Sequence, residues 1–188
     1  MKVTPTRLPD VVVLEPRVFP DERGYFLETW NRARYADAGV DVDFVQDNLS
    51  YSTRGVLRGL HFQNPSPQGK LVSVVRGAVW DVAVDLRRGS PTFGEWVGVE
   101  LTSENHRQLY VPVGFAHGFV VTSEIALFTY KCTRVYSPAD ERSIRWDDPE
   151  LDIRWPVSEP VVSAKDAAAP PLRDVPAEFL FDAGGSGS

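Results

Sequence analysis

The sequence predicts an all-β fold, either a sandwich or a barrel. Many short runs of β-branched and aromatic residues are separated by Gly, Pro, Asn and Asp, a pattern typical of strands and turns. Within residues 79–86 the side chains alternate with a period of two, as on a pleated strand. The length of 188 residues fits a single domain.

The individual elements follow from these runs and from the turn formers that flank them. The predicted strand segments are, in chain order, 11–19, 24–30, 71–87, 96–102, 108–113, 118–123 and 125–136. The stretch NRARYADAG predicts one short helix that ends at Gly39, and the segment after Asp147 is irregular and rich in proline. There is no internal repeat. We therefore predict one domain over residues 1–183, followed by a flexible Gly/Ser tail, 184–188, of the kind left by cloning.

Composition narrows the classes of function. The net charge of −6 argues against a surface that binds nucleic acid or anionic membranes in general, although a local group of Arg and Lys could still hold one small anion. No apolar run approaches the roughly 20 residues that a membrane helix needs. The N-terminus does not resemble a signal peptide, so we expect a cytoplasmic protein.

Two features of the predicted strands have competing interpretations. Cys132 is the single cysteine, so no intrachain disulfide can form, and its place in an alternating strand favours packing over a nucleophilic role. Asp81 and Asp85 share one face of the strand at 79–86. Because unpaired buried carboxylates are costly, we expect this face to be solvated; the alternative is a polar cavity between two sheets.

The three histidines lie in different contexts. His106 is in a polar stretch that resembles a surface turn. His117 ends the segment PVGFAH, which resembles the second motif of the cupin superfamily of small β-barrels. Metal-binding cupins carry an H-x-H pair in their first motif, whereas the corresponding place here reads His61-Phe62-Gln63. One metal ligand is thus missing, and we predict no metal site.

Without a metal, His61 is a candidate general base, since an imidazole can accept a proton near neutral pH. The alternative is a hydrogen-bonded histidine that lines a sheet. Lys70 follows the turn-rich NPSPQG and could stabilise an oxyanion or be a solvated lysine. Tyr130 could donate a proton or pack in the core. The residue types leave these alternatives open.

A series of longer motifs in order resembles the dTDP-4-dehydrorhamnose 3,5-epimerases of nucleotide-sugar metabolism. The likeness extends from about residue 9 to residue 171, and several long motifs in order are more specific than any one of them. They are DERGYFLETW (21–30), QDNLSYSTRGVLRGLHFQ (46–63), QGKLVSVVRGAVWDVAVDLRRGSPTFG (68–94), VPVGFAHGF (111–119), YKCTRVYSPADE (130–141) and SAKD (163–166).

This resemblance implies a cupin-type jelly-roll barrel, also called a double-stranded β-helix, with a few short helices. It implies a homodimer that needs neither metal nor organic cofactor. The implied reaction inverts C3 and C5 of dTDP-4-dehydro-6-deoxy-D-glucose to give dTDP-4-dehydro-L-rhamnose, in dTDP-L-rhamnose biosynthesis.

The resemblance also implies roles for individual residues. His61 matches the catalytic base, Asp166 its carboxylate partner, Tyr130 the proton donor and Lys70 the cation beside the sugar keto oxygen. In this family the N-terminal segment that corresponds to Arg23, Phe26 and Glu28 reaches across the dimer. The positions that match substrate contacts are Arg23, Phe26, Glu28, Gln46, Asn48, Arg58, Lys70, His117, Tyr136, Glu141 and Lys165, of which Tyr136 matches the residue that stacks on thymine.

Three other functions compete with this interpretation. Relatives with the same residues act at both carbons, at C3 only or at C5 only, and the catalytic set does not distinguish them. A non-catalytic carbohydrate-binding jelly roll would use His61 and Tyr130 only to hydrogen-bond a sugar. A metal-dependent cupin oxygenase is opposed by the missing H-x-H pair.

Overall fold

The computed structural model describes residues 1–183; the predicted Gly/Ser tail lies outside this range. No helix in the described range is long and apolar enough to span a membrane. The strands are β1 (Lys2–Pro5), β2 (Val12–Glu15), β3 (Val18–Asp21), β4 (Gly24–Leu27), β5 (Gln46–Thr53), β6 (Leu57–Gln63), β7 (Lys70–Arg76), β8 (Ala78–Asp85), β9 (Arg87–Arg88), β10 (Trp96–Thr102), β11 (Gln108–Val111), β12 (Phe115–Val121), β13 (Ile125–Cys132), β14 (Glu141–Ser143) and β15 (Phe181–Asp182). The helices are α1 (Arg32–Asp37) and α2 (Ala164–Ala167), with 3₁₀ turns at Leu172–Asp174 and Ala177–Phe179.

Two antiparallel sheets form the body of the molecule. The larger has the strand order β1-β2-β11-β7-β13-β5, and the smaller has the order β10-β8-β12-β6-β14. Strands β3 and β4 make a separate hairpin, and β15 pairs in parallel with β9. Buried side chains from both sheets, such as Val72 and Leu109 of the larger and Ala83 of the smaller, belong to one apolar cluster. The predicted all-β jelly roll is confirmed.

The smaller sheet is buried on both faces. Its outer face carries Val82 and Val84 of β8, which pack against Leu151, Leu172 and other residues of the irregular C-terminal segment. A strand covered on both sides reads as a nearly continuous apolar run, as β8 does. The C-terminal segment therefore acts as a third layer over the smaller sheet.

Local patterns predicted some elements better than others. Helix α1 forms as expected, with the Asn31 side chain accepting the Arg34 N–H and Gly39 following at φ +91°. The predicted strand 11–19 is two strands, β2 and β3, and 71–87 breaks at Gly77 into β7 and β8. Gly77 has φ +85°, and a Cβ there would lie 2.0 Å from the Ile125 carbonyl oxygen. The predicted strand segments omit β5, whose alternation is mostly polar, and also β6, which carries His61.

The prediction that Asp81 and Asp85 face solvent is wrong, because both side chains are fully buried. Each carboxylate has partners that compensate for its loss of hydration. Asp81 accepts hydrogen bonds from His117, and Asp85 accepts from Arg87 and from two hydroxyl groups. The alternative, an inward polar face, is the one that the structure adopts.

Two glycines bring β6 and β12 unusually close together. Gly59 has φ +122°, and a Cβ there would lie only 2.6 Å from the Gly118 Cα. A Cβ at Gly118 would in turn lie 2.8 Å from the Arg58 carbonyl oxygen. The pairing of the two strands shifts just after His117, which leaves His61 and His117 directly opposite each other.

We expect Asp85→Asn to destabilise the protein by about 3 kcal/mol at neutral pH, because a buried ion pair loses one partner. Burial raises the pKa of Asp85, but hydrogen bonds from Arg87, Thr92 and Ser90 outweigh burial and hold this pKa below its ordinary value. The stabilisation is therefore present above pH of about 4 and is lost as the pH falls through the lowered pKa. Urea unfolding of both proteins across this range measures the difference.

The control for this prediction is Asp182→Asn. Asp182 pairs with Arg88, the neighbour of Arg87, but this pair is exposed and should contribute little. Equal loss of stability in the two variants would contradict the importance assigned to burial.

Candidate active site

A cavity of about 650 Å³ opens between the two sheets, a size common for small-ligand sites. The predicted site residues that line it come from both sheets and from the C-terminal segment. They are Gln46, Asn48, Arg58, His61, Lys70, His117, Tyr130, Tyr136, Glu141, Lys165 and Asp166.

The His61 side chain is held by a carboxylate from the distant C-terminal segment. His61 lies on β6, and its Nε2 is 2.7 Å from Asp166 Oδ1. Ser163 caps α2 by accepting the Asp166 N–H, which fixes the start of this helix. Burial raises the pKa of Asp166, but its hydrogen bond and charge interaction with His61 outweigh burial, so the pKa lies below its ordinary value. An ionised Asp166 accepts the Nε2–H and leaves the lone pair on Nδ1.

Tyr130 lies on the opposite wall of the cavity from His61. It belongs to β13 of the larger sheet, whereas His61 belongs to β6 of the smaller sheet, and both side chains line the same space. Burial, with a smaller contribution from Cys132, raises the pKa of the Tyr130 phenol above its ordinary value. The hydroxyl therefore keeps its proton at neutral pH and can donate it.

Lys70 is delivered to the cavity by the NPSPQG turn as the first residue of β7. Burial lowers the pKa of its ammonium, while the charges of Cys132, Asp81 and Glu141 oppose that change. In the pairing of β7 with β13, Cys132 of β13 lies directly opposite Lys70. A cation in a partly desolvated position interacts strongly with a negative charge that develops nearby.

His117 projects from β12 beside His61. Its Nε2 lies 2.9 and 3.0 Å from the two carboxylate oxygens of Asp81. Burial raises the pKa of Asp81 above its ordinary value, although the charge and hydrogen bond of His117 oppose this shift. Below it, Phe119 and Phe128 stack across the two sheets with ring centroids 4.1 Å apart and form the apolar floor of the cavity.

A second group of polar residues lies around Tyr136. The Tyr136 hydroxyl donates to Glu141 over 2.7 Å, and its backbone N–H donates to Gln46 Oε1 over 2.7 Å. Lys165 forms an ion pair with the same Glu141 carboxylate. Asn48 completes the chain by accepting from Gln46 Nε2 over 3.0 Å. The Tyr136 ring is half exposed, which leaves one aromatic face available for a planar group.

Arg58 is exposed at the edge of the cavity. Its Nε donates to Ser52 Oγ over 3.1 Å, so most of its guanidinium donors are left for other partners. The guanidinium fork suits bidentate contact with phosphate oxygens.

Three predicted site residues do not reach this cavity. Arg23, Phe26 and Glu28 lie in or beside the β3–β4 hairpin and are not among the lining residues. Arg23 pairs with Asp21, and Glu28 pairs with Arg34. Within the described part of the chain, the other predicted site residues therefore line one cavity, whereas these three lie outside it.

Gln63, at the place of the missing metal ligand, has a structural role. Its Nε2 donates to the Ser66 carbonyl over 2.8 Å, and its Oε1 accepts the Ser137 N–H over 2.9 Å. Both ends of the amide thus hold the turn before Lys70 and the loop before Glu141. Among residues 1–183 no three His, Cys, Asp or Glu side chains converge as a metal-binding group.

The sequence patterns did not identify the residue that pairs with His117 or the aromatic residues that form the floor of the cavity. Asp81 was assigned to a solvated face, and Phe119 and Phe128 were not singled out. The alternation of residues 79–86 placed Asp81 and Asp85 on one face of the strand, but it did not show that this face points inward or which residue pairs with Asp81. His106 lies outside the cavity, with its ring 4.7 Å from that of Tyr25.

Comparisons with known proteins give consistent results. The family model for dTDP-4-dehydrorhamnose 3,5-epimerase matches residues 5–174. An epimerase of this name from Pseudomonas aeruginosa is 58% identical over 168 residues, covering 88% of this chain and 93% of the relative. A solved dTDP-6-deoxy-D-glucose-3,5-epimerase from Legionella pneumophila, in complex with dTDP-4-keto-L-rhamnose, superposes with a TM-score of 0.95, 50% identity and coverage of 97% and 98%. A more distant solved structure is a 3'-monoepimerase from Streptomyces bikiniensis in complex with dTDP-quinovose. It superposes with a TM-score of 0.85 and 37% identity, covering 90% of this chain and 87% of that chain.

The thiol of Cys132 should react slowly in the native protein. It is 1% exposed, and burial raises its pKa despite the nearby Lys70 charge. We expect the native chain to react with a chromogenic disulfide reagent at least about tenfold more slowly than the chain in urea, because the thiolate is the reactive form. Since the chain has one cysteine, the readout is unambiguous. Equal rates in the two states would contradict this burial.

Proposed function

This chain belongs to the dTDP-4-dehydrorhamnose 3,5-epimerase family, and we propose that it inverts C3 and C5 of dTDP-4-dehydro-6-deoxy-D-glucose with His61 as base and Tyr130 as acid. The observation that carries this assignment is the placement of the two side chains on opposite walls of one cavity. Inversion requires removal of a proton from one face of the carbon and its return from the other. Two groups on opposite sheets meet that requirement.

One base can serve both carbons. In a gluco-configured ring the hydrogens on C3 and C5 are both axial and point to the same face. His61, with its lone pair on Nδ1 and its Nε2–H donated to Asp166, can therefore accept each proton in turn. Tyr130 protonates each carbon from the other side, and between the two inversions His61 releases its proton to solvent while Tyr130 regains one from solvent.

The protons on C3 and C5 are acidic because each carbon is adjacent to the C4 ketone. Removal of either one gives an enolate whose negative charge lies on the C4 oxygen. Lys70 supports this charge, since its side chain lines the same cavity as His61 and Tyr130. A preorganised donor of this kind contributes about 3 to 4 kcal/mol to transition-state stabilisation in other enzymes.

The nucleotide supplies binding energy at a distance from the reacting ring. We assign the thymine to the exposed face of Tyr136, and the diphosphate to Arg58 and Lys165, with Arg23 of the partner subunit as a further cation. Lys165 must exchange its contact with Glu141 for the phosphate. Contacts at the nucleotide hold the sugar in the reactive position, so the free sugar should be a poor substrate.

A homodimer is part of this proposal. The outer face of the larger sheet exposes Leu49, Tyr51 and Val75, and the hairpin exposes Phe26, which is 68% accessible. A second cavity of about 500 Å³ lies between this face and the hairpin base. Exposed apolar groups of this extent favour association. In such a dimer the hairpin of one subunit completes the cavity of the other.

Proton transfer by these side chains needs neither a metal nor an organic cofactor, so activity should survive chelation. The net charge of −6 gives no support for nucleic acid or membrane partners. A cytoplasmic location agrees with a chain whose one cysteine is free and buried.

A second candidate, inversion at only one carbon, is favoured by the likeness to the Streptomyces bikiniensis 3'-monoepimerase. Both activities use the same chemistry at a carbon next to a ketone. They differ in how many carbons exchange a proton with solvent, and deuterium incorporation measures this number.

We expect the wild-type protein, incubated with dTDP-4-dehydro-6-deoxy-D-glucose in D₂O, to incorporate deuterium at C3 and C5, as followed by NMR. His61→Ala should lower exchange at both carbons by at least about 100-fold, because it removes the general base. Tyr130→Phe should retain more exchange than net inversion, since abstraction survives and delivery from the other face does not.

Binding of dTDP, measured by calorimetry, is the control and should be little changed in both variants. Deuterium at one carbon supports the mono-epimerase, and none at either carbon supports a binding module. Near-normal exchange in His61→Ala would remove His61 as the base.

Mixing two inactive variants tests the shared site. In a heterodimer of His61→Ala and Arg23→Ala, one of the two sites combines an intact His61 with the intact Arg23 of the partner subunit. After unfolding and refolding together, random pairing should restore about a quarter of the wild-type rate. If Arg23 served the cavity of its own subunit, neither site would be complete and no activity would return. The separately refolded variants are the control.

A further inference from the structure

Two histidine–carboxylate pairs lie side by side on the smaller sheet. His61 and His117 are direct neighbours across β6 and β12, and each turns its Nε2 to a carboxylate, of Asp166 and Asp81 respectively. The first pair supplies the base of the proposed reaction. The second pair also joins a histidine Nε2 to a carboxylate but lies deeper, with Asp81 fully buried.

Both carboxylate oxygens of Asp81 point at one ring nitrogen. His117 Nε2 lies 2.9 and 3.0 Å from them, and His117 is the one side chain that bonds this carboxylate within the described range. An ionised carboxylate accepts the Nε2–H, which fixes the ring and leaves Nδ1 toward the cavity that His117 lines. Without such an anchor the ring could rotate and exchange its two nitrogens.

We propose that Asp81 is a positioning residue that fixes the His117 ring with its Nδ1 toward the sugar. The proposal rests on the proposed function, because it assigns a supporting residue for that reaction. The matched control is Asp85→Asn. Asp85 lies on the same inward face of β8 and is equally buried, but its partners are Arg87, Ser90 and Thr92, away from the cavity lining.

The first test needs no activity. The chain has three histidines, so ¹⁵N NMR of their imidazoles can be assigned with His61→Asn and His106→Gln variants. In the wild type at mildly alkaline pH, His117 should be the tautomer protonated at Nε2. Asp81→Asn should mix the tautomers of His117, and Asp85→Asn should leave all three rings unchanged. A wild-type His117 protonated at Nδ1 alone would overturn the assignment, even if Asp81→Asn does not fold.

The second test is kcat/KM. Because His117 lines the cavity beside the proposed base, loss of its anchor in Asp81→Asn should lower kcat/KM by about tenfold or more. Asp85→Asn, although less stable, should keep kcat/KM within about twofold of the wild type.

The outcomes separate the two proposals. If the wild type turns over substrate and Asp81→Asn keeps both the wild-type kcat/KM and the Nε2–H tautomer of His117, the role of Asp81 is overturned while the proposed function stands. If the wild type does not turn over substrate but NMR gives the Nε2–H tautomer of His117, the anchoring role stands and the proposed function falls.

Discussion

The close contact between the backbones of Gly59 and Gly118 is the constraint on which the site depends. Any side chain at either position would push β6 away from β12, since the space between them is smaller than a methyl group requires. This contact sets His61 beside His117 on one wall. The opposite wall, with Tyr130, is fixed by the pairing of β13 between two neighbours. The distance between the walls then follows from the packing of the two sheets.

The same inward face of β8 serves two purposes. Asp85 lies at the end of the strand, where Arg87 and hydroxyl groups surround it, and it stabilises the turn that follows. Asp81 lies four residues earlier, where β12 presents His117, and it contacts the ring of this cavity-lining residue. Identical side chains with identical burial thus differ in what they do, because their neighbours on other strands differ.

Sequence reasoning succeeds where the physical cause is local. The cap at Asn31 and the turn former Gly39 predict α1, since both act within a few residues. The burial of Asp81 depends on a partner 36 residues away, which alternation alone cannot identify. Asp166 and His61 are 105 residues apart, and only the resemblance to a family brought them together before the structure did. The same resemblance predicted that Arg23, Phe26 and Glu28 contact the substrate. These residues lie outside the cavity of their own chain, which is a result of tertiary structure that no local pattern reveals.

The carboxylate that orients His61 comes from a segment without long strands or helices. Residues of this segment cover the smaller sheet, and its short helix α2 presents Asp166 to the cavity. The strands that form the barrel walls and the helix that carries Asp166 are therefore separate parts of the chain. Substitutions or small insertions in this covering segment can change the strength of the base while the walls keep their shape. Such a division gives evolution a way to adjust reactivity without redesigning the barrel.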